Sequence, residues 1–238
     1  MKSMLLSAVA LFLAVSVFAE EKPLQLKDLK DKASYSLGLN YGMNFKTQNI
    51  DLNADAFAAG FKDGTNGKKP LLTVEEVKAT LTAFQQEIQT KQQAMAQKNA
   101  AEGEKFLAEN KTKEGLKTTA SGLQYKVLKE GAGAQPKSSD SVTVNYRGTL
   151  LDGTEFDSSY KRGEPATFPV GGVIKGWTEA LQLMKVGSKF QLFIPANLAY
   201  GEQGRPGIPP NSVLIFEVEL MDVKSPQAGE PGPAPSPK

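Results

Sequence analysis

The 238-residue chain contains no cysteine and no histidine. The first absence excludes disulfides, thiolate zinc sites and cysteine nucleophiles. The second removes every catalytic triad that uses an imidazole base. Carboxylate acid–base pairs and carboxylate-only metal sites stay open, but nothing in the chain calls for a metal or a cofactor. Any chemistry must come from carboxylates, hydroxyls, backbone dipoles or the shape of an apolar pocket. Net charge is also scarce: 28 basic against 26 acidic residues leave +2, too little to suggest a nucleic-acid partner. Tryptophan occurs once, at Trp177.

Long apolar runs are confined to the start, "MKSMLLSAVALFLAVSVFAE". Lys2, a short apolar middle and small residues before Ala19 predict a secretory signal peptide over residues 1–19. The run is short for a bilayer span, so an anchor is the weaker alternative and stable membrane insertion is not expected. Without a cysteine, lipoprotein processing is not expected either. The predicted destination is the periplasm, with outer-membrane association or the cell surface as variants.

From Leu24 to about Gln48 the periodicity is helical, with Ser34, Gly38 and Gly42 four apart in a smooth stripe. A second helix is predicted to begin after Asn53 as N-cap, with Phe57 and Phe61 on one face, and to break in "DGTNGKKP". Thr73 and Glu76 match a capping box for a third helix, whose seam is Val77, Leu81, Phe84 and Ile88. Beyond Ile88 the helix formers persist without an apolar face, which predicts a bridge reaching Asn110, with Phe106 and Leu107 able to dock on the domain after it. Such a core is thin for a lone unit. Residues 20–72 are therefore expected to be a dimerisation domain and 73–112 a long connecting helix, with a homodimer formed through residues 24–90. An intrachain bundle is the alternative.

After Gly122 the period becomes two. Val142, Val144 and Tyr146 share a face, as do Phe190, Leu192 and Ile194, and Leu214, Phe216, Val218 and Leu220. Asp152-Gly153 signals a tight hairpin. Trp177, Ala180, Leu181 and Met184 recur at the spacing of one buried helical face, placing the indole in a helix's first turn. Several strands and one short helix predict an α+β domain over 113–224. The remainder, 225–238, is proline-rich and expected to be a disordered tail. Asn110-Lys111-Thr112 matches a glycosylation acceptor, a weak signal.

"VTVNYRGTLLDGTEFDSS", "VIKGWTEALQLMKVGSK" and "LAYGEQGRPGIPPNSVLIFEVEL" occur in that order. Together they closely resemble the FKBP family of peptidyl-prolyl cis/trans isomerases, and the helical first half resembles the bacterial macrophage infectivity potentiator type. The resemblance implies a half-wrapped antiparallel sheet with a short helix across its concave face. It also implies a pocket whose polar members are Asp157, Tyr200 and Tyr146. The substrate proline would be bound by Phe156, Val173, Ile174, Trp177, Ile208 and Phe216, with the indole as floor. Implied ligands are unfolded or partly folded proline-containing proteins, and macrolide inhibitors. Strand alternation sends Phe156 and Asp157 to opposite faces, so their joint presence needs a bulge. Ala166 stands where many members have an aromatic residue, and Arg205 where they often have histidine, in a loop one residue shorter than in the best-known members. A holdase chaperone with incidental isomerase activity, or a binding module without turnover, are the competing readings.

Overall fold

The computed structural model describes residues 24–48 and 50–226. The expected signal peptide, and all but the first two residues of the expected tail, lie outside the described residues. The described residues form two compact units, one ending at Met43 and the other beginning at Asn44. Helix α1, Leu29–Thr47, crosses that division. It starts later than periodicity predicts because the Asp28 carboxylate accepts the Asp31 N–H at 2.8 Å, as an N-cap would.

In the second unit, α2 spans Ala54–Asn66, with the Asn53 side chain accepting the Ala56 N–H at 2.9 Å. It runs through Asp63-Gly64-Thr65-Asn66, where the sequence predicts a break. It stops at Gly67, whose φ of 61° is a conformation glycine adopts without penalty. Helix α3, Val74–Asn110, is uninterrupted for 37 residues, about 55 Å at 1.5 Å per residue. Its start is the expected capping box: the Glu76 N–H donates to Thr73 Oγ1 at 3.2 Å, and the Thr73 N–H to Glu76 Oε2 at 2.8 Å.

Strands β1 (Leu116–Thr118), β2 (Gln124–Lys129), β3 (Ser141–Thr149), β4 (Glu155–Ser158), β5 (Ala166–Pro169), β6 (Lys189–Ile194) and β7 (Leu214–Lys224) form one antiparallel sheet. The order is β1-β2-β6-β7-β3-β4, with β5 also on β3. A one-turn helix α4, Ser159–Arg162, comes directly after β4, and α5, Lys175–Leu181, packs on the sheet. The inward faces read from alternation are those that are buried: Val142, Val144 and Tyr146; Phe190, Leu192 and Ile194; and Leu214, Phe216, Val218 and Leu220. They close on Trp177, Ala180, Leu181 and Met184. Met184 lies just past the end of α5, in a turn where its N–H donates to the Leu181 carbonyl.

Phe193 is buried as well, although alternation puts it on the outer face. The end of α3 covers it, with Phe106 and Phe193 ring centroids 5.9 Å apart. Close approach is possible because position 103 is glycine: a Cβ there would sit 2.8 Å from Val213 Cγ2. The helix ends in an amide clasp, in which Asn110 Nδ2 donates to Gln124 Oε1 at 2.9 Å and Gln124 Nε2 donates to the Leu107 carbonyl at 2.8 Å. Asn110 is 1% exposed, so the glycosylation match is a packing residue instead. Two further bonds reach the loop before β7: Asn99 Nδ2 to the Pro210 carbonyl at 2.7 Å, and Asn211 Nδ2 to the Ala96 carbonyl at 3.3 Å.

Candidate active site

Tyr146 from β3, Phe168 from β5, Phe216 from β7 and Trp177 from α5 meet on the inner face of the sheet. The indole is ringed edge to face. Its centroid lies 5.1 Å from Tyr146 at 89°, 5.2 Å from Phe216 at 80° and 5.8 Å from Phe168 at 87°. These are the offsets at which aromatic quadrupoles attract. Trp177 keeps only 4% of its surface, and its buried Nε1–H finds no hydrogen-bond acceptor among the described residues. Such a group ordinarily costs about 1–3 kcal/mol. Phe168 belongs to this cluster although the sequence reading omits it; its two-residue offset from Ala166 on β5 was the available signal.

Phe156 and Asp157 are brought to the same side by an irregularity in the β3–β4 ladder. Gly148 pairs with Asp157 and Thr149 with Glu155, so Phe156 has no opposite number. That is the bulge which strict alternation lacked. Gly148 also pairs with Phe216 on β7. A Cβ at position 148 would lie 2.6–2.8 Å from ring atoms of Phe216 and Phe156, so both rings occupy the space a side chain would need. Phe156 stands at 87° to Phe216, with centroids 5.4 Å apart.

The polar side of the site is a triangle. The Tyr146 hydroxyl donates to Asp157 Oδ2 at 2.6 Å, Arg162 Nη1 donates to Asp157 Oδ1 at 2.6 Å, and Arg162 Nη2 donates to the Tyr146 hydroxyl at 2.8 Å. The guanidinium also lies 5.3 Å from the centre of the Tyr146 ring. Burial, then the bond to Asp157, pushes the Tyr146 phenol up to about 12. Hydrogen bonds to Tyr146 and Asp157 in turn raise the Arg162 guanidinium. Asp157 is thus a carboxylate whose two oxygens are each engaged. Arg162 escaped the sequence reading because it sits on α4 outside any strand pattern. A cavity of about 200 Å³, lined by Glu155, Phe156, Asp157, Ser158, Lys161 and Arg162, adjoins this triangle and does not include the indole.

Val173, Ile174 and Tyr200 are half-buried and Ile208 is buried, all packed against the same core. Ile174 occupies the N-cap position of α5. Its carbonyl accepts the Trp177 and Thr178 N–H groups, while its own N–H donates to nothing among the described residues. Tyr200 accepts a bond from Arg205 Nη1 at 3.0 Å. Arg205 and Ile208 exchange two backbone bonds, of 2.9 and 2.8 Å, around Pro206-Gly207. With φ of 84° at Gly207, this is the turn that favours proline then glycine at its centre. All nine residues expected at the site therefore lie in or against one cluster.

A chain whose half-wrapped sheet, bulge and aromatic cluster are arranged in this way has the architecture of a proline-rotating enzyme of the immunophilin kind. Residues 133–221 match the family described as FKBP-type peptidyl-prolyl cis-trans isomerase. Residues 30–127 match the domain amino-terminal to it. The chain is 48% identical over 230 residues to the outer membrane protein MIP of Legionella longbeachae, covering 94% of this chain and 99% of that one. It is 45% identical over 236 residues to the FKBP-type isomerase FkpA of Escherichia coli K12, covering 91% and 87%. The crystal structure of Escherichia coli FkpA superposes with a TM-score of 0.61 at 43% identity, over 84% of this chain and 99% of that one. The chain belongs to the FKBP-type peptidyl-prolyl cis/trans isomerases.

Proposed function

We propose that this isomerase assists the folding of exported proteins, with the Trp177 cluster as its proline site. Rotation about an amide C–N bond costs roughly 18–20 kcal/mol because resonance is lost as the bond twists. The planar imide is more charge-separated than the twisted one, so withdrawing water destabilises the planar form more. The observation that carries the reading is the aromatic cluster around a buried indole, edged by half-buried Phe156, Val173, Ile174 and Tyr200. The Ile174 N–H, uncommitted within the described residues, would donate to one substrate carbonyl. Because the Tyr200 hydroxyl accepts from Arg205, its proton would serve a second. Asp157, held between Tyr146 and Arg162, would set the field at the pocket mouth. Such contacts accelerate rotation only where they strengthen in the twisted state.

Exposed apolar side chains in the helical half support a homodimer through residues 24–90: Phe61 is 67% and Leu81 62% exposed. A relative named as an outer membrane protein supports export, and among the described residues no helix is long and apolar enough to cross a membrane. The domain division is read as 20–72, 73–112 and 113–224, with macrolides as competing ligands of the proline site. The experiment is a proline tetrapeptide assay paired with refolding of a proline-limited protein. Acceleration of both is expected. No acceleration of the tetrapeptide ends the enzyme reading of this site. Refolding help that survives Asp157→Ala with the tetrapeptide rate lost would favour the holdase. Replacing Val77, Leu81 and Phe84 by Asp should halve the solution mass if that seam is the dimer contact.

A further inference from the structure

We infer that Arg205 is a specificity-determining residue that favours an acidic side chain beside the substrate proline. The inference rests on the reading of Tyr200 and Ile208 as pocket residues. Arg205 is tied to that rim twice. Its backbone exchanges two hydrogen bonds with Ile208. Its guanidinium lies 5.0 Å from the Tyr200 ring centre, with Nη1 3.0 Å from the hydroxyl.

The two arginines at the site differ in what balances them. Arg162 is bonded to the Asp157 carboxylate. Arg205 forms no ion pair among the described residues, and it is exposed. One of its five N–H donors is spent on Tyr200, and that bond, with the cation–π contact to the same ring, holds the group in place. A planar guanidinium held in this way presents the fork that matches a carboxylate, whereas a loose surface lysine would present only a point charge. Since Tyr200 is the proposed donor to a substrate carbonyl, a residue adjoining the proline would pass within reach of this uncompensated charge. The tight Pro206-Gly207 turn fixes the backbone of Arg205 beside Ile208.

The test uses the full chain and tetrapeptides differing only before proline, Glu-Pro, Leu-Pro and Lys-Pro, at low ionic strength. The wild type should show a ratio of kcat/KM for Glu-Pro over Lys-Pro about 3–5-fold higher than Arg205→Gln, the scale of one partly exposed charge pair. Arg205→Lys, a point charge without the fork, should keep only part of the preference, and Arg205→Glu should invert it. Salt near 0.5 M should compress the ratio toward that of Arg205→Gln, because charges at a rim are screened. Equal ratios in the wild type, Arg205→Gln and Arg205→Glu, with all three active, would overturn the role of Arg205 alone. A wild type that rotates none of the peptides would overturn the pocket reading and this inference with it.

Discussion

Phe156 and Phe216 meet edge to face across the backbone of Gly148, on strands that are its two neighbours in the sheet. Neither ring could keep its place if position 148 carried a side chain, because a methyl there would lie 2.6–2.8 Å from ring atoms of both. Gly148→Ala should therefore cost about 1–3 kcal/mol of stability, the usual scale of overpacking. It should also lower kcat/KM by more than Leu192→Ala does at equal loss of stability. Urea denaturation and the tetrapeptide assay, run together, check this.

Arg162 contacts both members of the Tyr146–Asp157 pair, at 2.8 and 2.6 Å. Its pair with Asp157 is 44% exposed on each side, so its removal should cost stability at most about 1 kcal/mol. The effect on turnover should be the larger one. Arg162→Ala is expected to lower kcat/KM several-fold, with Arg162→Lys restoring part of it. A wild-type rate in Arg162→Ala would separate the triangle from the chemistry.

Turnover should be flat between about pH 6 and 9, since imidazole and thiol, the side chains that ordinarily titrate there, are absent. At higher pH Tyr146 becomes visible. Its value in the fold is raised from 10.0 to about 12, chiefly by burial, so the fold favours the neutral phenol. That contribution to stability is whole below about pH 10 and is lost as pH rises through 12. Denaturation midpoints from pH 8 to 12 should fall in that upper window for the wild type and fall less for Tyr146→Phe.

A fragment cut at residue 113 would lose Phe106 from Phe193 and both partners of the buried Gln124 amide. A buried amide left unpaired costs about 1–3 kcal/mol. Residues 113–224 should accordingly unfold at lower urea than residues 94–224, which keep the docked turns of α3. Equal midpoints would mean that the helix end adds nothing to the sheet.

The inward strand faces could be read directly, because a period of two with one buried side leaves an unambiguous record in Val142, Val144, Tyr146 and their counterparts on β6 and β7. The capping box at Thr73 was equally legible, being local. What escaped was non-local. Phe193 looks solvent-facing until Phe106 arrives from far upstream in the chain. Gly148 gives no sign that two rings will converge on it. The end of α3 carries no continuous apolar stripe: Phe106, which the sequence marks as able to dock, is joined there by a glycine and amides. Phe156 and Asp157 could share a side only through the β4 bulge, which the motif implied and alternation could not.

Because contacts between Ala96 and Asn110 span about four turns of α3, that stretch is spliced onto the rotamase body, with no slack string between them. Bending of the helix upstream of Ala96 would turn the sheet, the indole and the Arg205 rim as a single piece. The aim of the proposed proline site is then set by the shaft and not by the joint after it.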